Sequence, residues 1–204
     1  MADLKFERLT GRSLTDALTV LADLRVQVFR EWPYLYSGDA EYEADYVARY
    51  GASRDAMIVA CIDPDADDKI VGAASGQPLA REMDAFIAPF EKAGYDIGAV
   101  FYFGESVLLP AYRGRGAGHA FFDHREAHAR ALGGFTTCAF CGVVRDTDDP
   151  RAPADYRPLD PFWQKRGYQK AKGLVTSFPW QEIGSDRQTD HPMQFWVRGL
   201  EYDQ

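Results

Sequence analysis

The chain has 204 residues, 46% hydrophobic and 14% aromatic, which is enough apolar side chain for one full core and too much for a disordered chain. Lys plus Arg number 23 against 31 Asp plus Glu, a net charge of −8, which argues against nucleic acid, whose binding rests on neutralising phosphates. No apolar run approaches the roughly 18 residues of a membrane span, so no membrane partner is expected.

The N-terminus has no apolar core behind a basic start, so no secretory signal is expected there. Cys61, Cys138 and Cys141 cannot close a disulfide framework and read as reduced thiols, which points to a cytoplasmic protein. No repeat, low-complexity tract or Gly/Ser linker divides the sequence, so residues 1–204 read as one domain.

Ser13 is a plausible N-cap, and Leu14, Leu18, Leu21, Leu24 and Val28 recur at helical spacing, predicting an amphipathic helix to about Phe29. The aromatic loop Trp32, Pro33, Tyr34, Leu35, Tyr36 follows, then a second helix over 40–49. Residues 56–62 read as a buried strand and 69–75 as its hairpin partner across an acidic turn. A helix over 81–93 and an extended segment over 100–109 come next. A helix over 116–132 closes at Gly133, and a strand over 135–144 follows it. The segment 145–158, rich in Asp and Pro, is loop; 159–166 is a short helix, and strands over 168–180 and 193–200 end the chain. The order predicts a mixed α/β fold with a largely antiparallel sheet flanked by helices.

The chemistry concentrates where the extended segment meets the helix. Glu105 and Ser106 lead through Val107, Leu108, Leu109, Pro110, Ala111 and Tyr112 into Arg113, Gly114, Arg115, Gly116, Ala117, Gly118 and His119. Three glycines in five residues let a backbone approach an anion closely, and the helix N-terminus adds unpaired N–H groups and a partial positive charge. Arg113 and Arg115 add charged donors, and no acidic residue occurs from Ser106 to Phe122. No Lys-Ser/Thr pair follows the glycines, so a P-loop is rejected; His119 stands where a dinucleotide fingerprint needs its third Gly, so that is rejected too.

Arg113-Gly114-Arg115-Gly116-Ala117-Gly118 resembles the [Q/R]-x-x-G-x-[G/A] signature of the GNAT superfamily of acyl-CoA-dependent N-acyltransferases. Leu108-Leu109-Pro110-Ala111-Tyr112 is similar to that family's V-x-P-x-Y, and Phe162-Trp163-Gln164-Lys165-Arg166-Gly167-Tyr168 to its F-Y-x-x-x-G-F block. The resemblance implies a sheet whose two central strands splay apart after a bulge, with acyl-CoA inserted in the gap. It implies that Val107, Leu108 and Leu109 offer backbone groups to the pantetheine and that Arg113, Gly114, Arg115, Gly116, Ala117, Gly118 and His119 cradle the pyrophosphate. Glu105 stands where family members often carry a carboxylate near the acceptor amine. The co-substrate implied is acetyl-CoA, with no metal.

Trp163 departs from the pattern, because many members have a Tyr there that can protonate the departing thiolate, and an indole N–H has no useful acidity. Tyr102, Tyr112 and Tyr168 remain as candidate acids. Tyr156 stands near the family's CoA-contacting Asn, and no contact is carried over to it. Cys138 and Cys141 lack the second pair that a zinc site needs and read as buried small hydrophobes. His124 and His128 read as a solvated pair at the flank of the helix over 116–132, whose apolar face is Gly118, Phe121, Phe122, Ala129 and Leu132. The aromatic loop either plugs the core or, with Glu31, Tyr34 and Tyr36, forms a substrate wall.

These readings predict an N-acetyltransferase that moves an acetyl group from acetyl-CoA to a primary amine of a small molecule by direct attack. Glu105 is the candidate base, and the backbone N–H of Leu108 or Leu109 the candidate oxyanion donor. A homodimer is compatible with this reading. The alternatives are a non-catalytic acyl-CoA-binding regulatory module and an enzyme acting on a protein N-terminus or lysine.

Overall fold

A computed structural model describes residues 2–202. Seven strands form a single sheet in the order β1-β2-β3-β4-β5-β7-β6: β1 (Lys5–Leu9), β2 (Met57–Asp63), β3 (Lys69–Pro78), β4 (Val100–Leu108), β5 (Thr137–Val143), β6 (Gln169–Gln181) and β7 (Gln188–Gly199). Every neighbouring pair is antiparallel except β4 and β5, which run parallel. The helices are α1 (Gly11–Val28), α2 (Ala40–Ala52), α3 (Asp84–Lys92), α4 (Ala117–Leu132) and α5 (Asp160–Lys165).

The sheet separates two apolar layers. On one face α4 drives Phe121, Phe122 and Ala129 onto Met57, Val59, Phe101, Phe103, Phe140 and Trp196, with Phe162 and Trp163 of α5 packed against that cluster. On the other, Leu14, Leu21 and Leu24 of α1 and Val47 and Tyr50 of α2 cover Ile58, Ala73 and Val107. α3 extends this second layer over Tyr102, Ala139 and Phe195 with Phe86 and Phe90.

Three sequence expectations shift. α1 begins at Gly11, ahead of Ser13, because Thr10 is the N-cap and the Ser13 hydroxyl accepts from the Thr10 N–H (3.2 Å) in a capping box. α2 runs through Gly51 to Ala52. The last hairpin is longer than its apolar stretches, because polar residues such as Asp190 and Gln188 continue the ladder opposite Pro179 and Gln181. β1 carries no apolar run and was not expected; it pairs only with β2 at the sheet edge.

The central pair positions the site. β4 and β5 share only the register Val100↔Thr137 to Tyr102↔Ala139, so from Phe103 and Phe140 onward the two parallel strands part. On its other side β4 slips against β3, with Phe103 opposite Gly76 and Ser106 opposite Ala74, one extra residue on β4. That bulge changes which face the side chains take. Phe101 and Phe103 lie in the α4 layer, whereas Val107, an even step further on, lies in the α1–α2 layer. A regular strand would send Glu105 to the α4 side with Phe103; the bulge delivers it to α1.

Candidate active site

Glu105 is 5% exposed. Its Oε2 accepts from Arg25 Nη1 of α1 at 2.5 Å, and its backbone N–H donates to the Ser75 hydroxyl at 3.2 Å. Arg25 also donates to Glu43 of α2 and lies over the rings of Tyr46 (3.9 Å) and Phe29 (4.9 Å). Burial lowers the Arg25 pKa, but Glu105, Tyr46 and Glu43 more than offset it, so the pKa stands well above that of an ordinary arginine. Two buried carboxylates thus share one guanidinium, and Glu105 Oε1 is buried without a hydrogen-bond partner. A carboxylate with one oxygen fixed and one unengaged is equipped to receive an ammonium.

The backbone beyond the bulge offers donors to the gap. The Leu109 N–H donates to the Val71 carbonyl at 3.0 Å, so it is committed to β3 and leaves the oxyanion role expected of it unfilled. Antiparallel alternation then turns Val107 toward β3 as well, and Leu108 toward the gap. The Leu108 carbonyl accepts from Arg113 Nε at 3.4 Å, in keeping with that orientation. Of Val107, Leu108 and Leu109, only Leu108 presents its peptide groups away from β3.

After Leu109 a single 3₁₀ turn leads into the glycine turn. Gly114 and Gly116 hold φ of +77° and +84°, a left-handed conformation that side-chain-bearing residues rarely adopt, and a Cβ on either would point into open space. Among the described residues the amides of Gly114, Arg115, Gly116, Ala117 and Gly118 donate to no protein acceptor. α4 starts there with Gly116 as N-cap, no side-chain cap and no acidic residue in its first turn. Unclaimed amides, a helix N-terminus and open space fit the diphosphate of acetyl-CoA. Gly118 lies against the Phe162 ring, which His119 meets edge-on at 5.0 Å. Arg115 reaches the Ala2 carbonyl (2.8 Å), and Arg113 pairs with Glu31 (2.7 Å), both half-exposed.

Glu31 pairs with Arg113 at the glycine turn, whereas the Tyr34 hydroxyl feels the charges of Arg25 and Glu105 and the Tyr36 hydroxyl that of Glu43. Tyr34 packs on Phe29 (4.4 Å) and Trp180 (5.7 Å), and burial raises its pKa. Tyr36 bridges to Glu182, the Ser37 N–H donates to the Gln181 carbonyl (2.9 Å), and the Ile183 N–H donates to the Leu35 carbonyl (2.7 Å). Arg145 staples the same loop, donating to the carbonyls of Pro33 (2.6 Å) and Tyr34 (3.0 Å) while pairing with Glu182 (2.5 Å). The loop is thus bonded to β6 and lies one aromatic contact from Arg25.

The candidate acids are engaged elsewhere. Tyr168 is fully buried and donates to Glu126 (3.0 Å), and its burial pushes the hydroxyl pKa well up. Tyr102 is hydrogen-bonded to the Cys141 sulfur (3.1 Å), and Tyr112 is drawn to Asp63, which raises its pKa. Trp163 sits with its indole edge 3.0 Å from the position a Cβ on Gly142 would take, so β5 needs that glycine to admit it. Cys138 and Cys141 face opposite layers, and burial pushes both thiols up to about 12.

His128 corrects the solvated-pair reading. It is 7% exposed, its Nε2 bonds the Asp55 carbonyl (3.1 Å), and its ring meets Phe101 edge-on. The row through Phe121, Arg125 and His128 turns toward the sheet, leaving only His124 partly exposed beside Phe6. Sequence reasoning missed Arg25, Glu43 and Arg145. Arg25 was findable, since it occupies the helical position between Leu21 and Val28 on an otherwise apolar stripe.

A family model described as Acetyltransferase (GNAT) family matches residues 23–168. No curated protein matches the chain by sequence. Among solved structures, the chain is similar to the ribosomal-protein-alanine N-acetyltransferase of Brucella melitensis, with 12% identity, TM-score 0.61, and coverage of 96% of this chain and 99% of that one. It is similar to Arabidopsis thaliana NAA60 in complex with acetyl-CoA, at 12% identity and TM-score 0.58 over 97% and 98% of the two chains. The yncA protein of Salmonella typhimurium, solved with its cofactor acetyl-CoA, gives 11% identity and TM-score 0.57 over 100% and 97%. At such identities the structures speak for the fold. With the family match across both motifs, the chain belongs to the GNAT acetyltransferase family and takes acetyl-CoA as its acetyl donor.

Proposed function

We propose that the enzyme acetylates a primary amine of a small molecule by direct attack on acetyl-CoA, with Glu105 accepting the amine proton. One observation carries the small-molecule reading. The loop over residues 31–37 is hydrogen-bonded to β6 and stapled by Arg145, and a loop so fixed favours a compact acceptor over an extended polypeptide. The unpartnered Oε1 of Glu105 favours an acceptor that arrives as an ammonium ion.

An alkylammonium with a pKa near 10 is mostly protonated at neutral pH, so a proton must leave before the nitrogen can attack. Glu105 Oε1 is the carboxylate oxygen left unengaged for it. The nitrogen then bonds to the thioester carbonyl carbon, and the Leu108 N–H supports the negative charge on the carbonyl oxygen. Collapse breaks the carbon–sulfur bond, and the second proton that leaves the nitrogen ends on the departing sulfur, so that a neutral amide and the CoA thiol result. A thiol with a pKa near 8.5 lies only about 1.5 units above neutral pH, roughly 2 kcal/mol, so the thiolate can leave without a dedicated acid.

The test is acetyl-CoA-dependent thiol release across primary alkylamines, diamines, aminoglycosides, and peptides with a free N-terminus or lysine. Acetylated small amines identified by mass are the expected result. Turnover confined to peptides would move the enzyme to protein acceptors, and binding of acetyl-CoA without transfer to any acceptor would make the chain a regulatory module.

A further inference from the structure

Arg125 is 1% exposed in the middle of α4, a guanidinium in the centre of the apolar layer. Among the described residues no carboxylate pairs with it. Its Nε donates to the Phe121 carbonyl at 3.1 Å. Its Nη1 crosses to the sheet and donates to two carbonyls, Ser75 of β3 and Glu105 of β4, each at 3.3 Å. The plane rests over Phe103 (4.2 Å) and Phe122 (5.0 Å). Burial lowers its pKa to about 10, which still leaves it charged at neutral pH. Placing an unpaired charge in an apolar layer is costly, and the return here is specific: the two carbonyls it binds belong to the two strands at the point where their register slips.

We infer that Arg125 is the positioning residue of the active site, a strap across the β3–β4 bulge that holds Glu105 on the α1–α2 side of the sheet, where Arg25 fixes one of its oxygens. A bulge leaves the ladder locally unpaired and can relax by a one-residue slip, which exchanges the faces of every side chain beyond it. With the bulge removed, Glu105 would follow Phe103 toward α4, away from Arg25, and the peptide groups of Leu108 would turn toward β3. The helix that carries the strap is the one whose first turn offers its amides to acetyl-CoA, so one rigid element sets both the diphosphate site and the carboxylate. The chemical half of this inference rests on Glu105 acting in the reaction; the geometric half does not.

The experiment compares Arg125→Lys and Arg125→Met, alone and in a Glu105→Gln background. Lysine keeps the charge and can reach one carbonyl; methionine keeps the length and loses every donor. With acetyl-CoA affinity within about twofold of wild type, kcat should fall about tenfold for Lys and about 10²-fold for Met, the scale of misplacing a reacting group by about 1 Å. In the Glu105→Gln background each change should lower kcat by a clearly smaller factor, because only the part that runs through the Leu108 N–H remains to be lost. A kcat that is unchanged, or that falls equally in both backgrounds, overturns the positioning role. Should Arg125→Met fail to fold, the Lys variant decides by the same comparison. Should Glu105→Gln itself retain wild-type kcat, Glu105 leaves the chemistry, and the strap is judged on the crystal structure of an Arg125 variant. There a lost bulge with a broken Arg25–Glu105 pair upholds it, and an intact bulge with the pair in place overturns it.

Discussion

Arg25 and Glu105, 80 residues apart in the chain, meet in a 2.5 Å ion pair beneath the point where β4 leaves β5. The pair leaves one Glu105 oxygen unengaged, and Glu43 holds the far side of the guanidinium. Glu105→Gln keeps the shape and removes the basicity. It should cut kcat about 10²-fold or more at neutral pH, with activity returning as pH rises and the free amine becomes abundant. Acetyl-CoA affinity should hold, since no phosphate contact is lost. A flat, wild-type kcat from pH 6 to 9 would remove Glu105 from the mechanism. Arg25→Met should instead destabilise the fold by about 3–5 kcal/mol in denaturant titration, because it strands two buried carboxylates.

The glycine turn makes a second prediction. At Gly116 a side chain would enter the open space in front of the unclaimed amides and would also strain a φ of +84°. Gly116→Val should abolish acetyl-CoA binding in calorimetry. Arg115→Ala should weaken it by about 1–3 kcal/mol, the scale of a hydrogen bond to a charged group. Glu31→Ala should leave affinity equal or tighten it up to about fivefold, because it frees Arg113 from a half-exposed pair worth at most about 1 kcal/mol. Weaker binding in Glu31→Ala would place the carboxylate on the side of binding.

The turn and its helix were legible because glycine and arginine at that spacing have a local physical meaning, independent of what packs around them. The bulge was not. It depends on a one-residue slip between β3 and β4 that no periodicity in residues 100–108 records, and it decides which side of the sheet Glu105 takes. Leu109 was open as an oxyanion donor in sequence and closed in structure, since the choice between Leu108 and Leu109 is one of strand parity. The buried charges lay between these cases. Arg25, Glu43 and Arg125 each sit on an apolar helical stripe, where a charge forecasts a partner without naming it. β1, five residues with two partly buried positions, gave no pattern to read.

Direct attack needs no protein nucleophile, and the cysteines suit that route. Thiols held up to about 12 by burial carry almost no thiolate at neutral pH. Intact mass after incubation with acetyl-CoA alone should show no acetyl group that disappears in Cys141→Ala or Cys138→Ala. A covalent acetyl lost in either variant would replace the mechanism with a two-step one.

His128 should make the fold sensitive to mild acid. Burial depresses its pKa below 6.5, and the same holds for His191, stacked 3.7 Å from Trp180. Between the folded pKa and 6.5 the unfolded chain binds protons that the folded chain does not, so unfolding takes up protons and stability falls as pH drops through 6.5. Above that pH the contribution is fully present. His128→Gln can keep a donor to the Asp55 carbonyl and removes the titration. Its melting temperature should fall less than that of wild type between pH 7.5 and 5.5, leaving the share due to His191. Parallel pH curves for the two proteins would show that His128 is not the responsible group.

Arg145 bears on what the enzyme accepts. Its guanidinium meets the Pro33 and Tyr34 carbonyls and Glu182 at once, and Trp180 Nε1 adds a second bond to the Tyr34 carbonyl at 2.9 Å. Arg145→Ala removes three charge-assisted contacts, each worth about 1.5–3 kcal/mol when well formed, while Glu182 keeps Arg151 at 2.5 Å. The fold should therefore survive, and the loop over residues 31–37 should loosen. Amide hydrogen exchange at Ser37 and Ile183 should accelerate, because those N–H groups make the bonds that join the loop to β6. The KM for the best small amine should rise about tenfold or more while the KM for acetyl-CoA stays put, since the glycine turn is untouched. Longer and bulkier amines, peptides included, should gain relative to small ones. An Arg145→Ala enzyme that exchanges faster at Ser37 and Ile183 yet keeps its acceptor range would detach the loop from acceptor choice, and the small-molecule reading would lose its support.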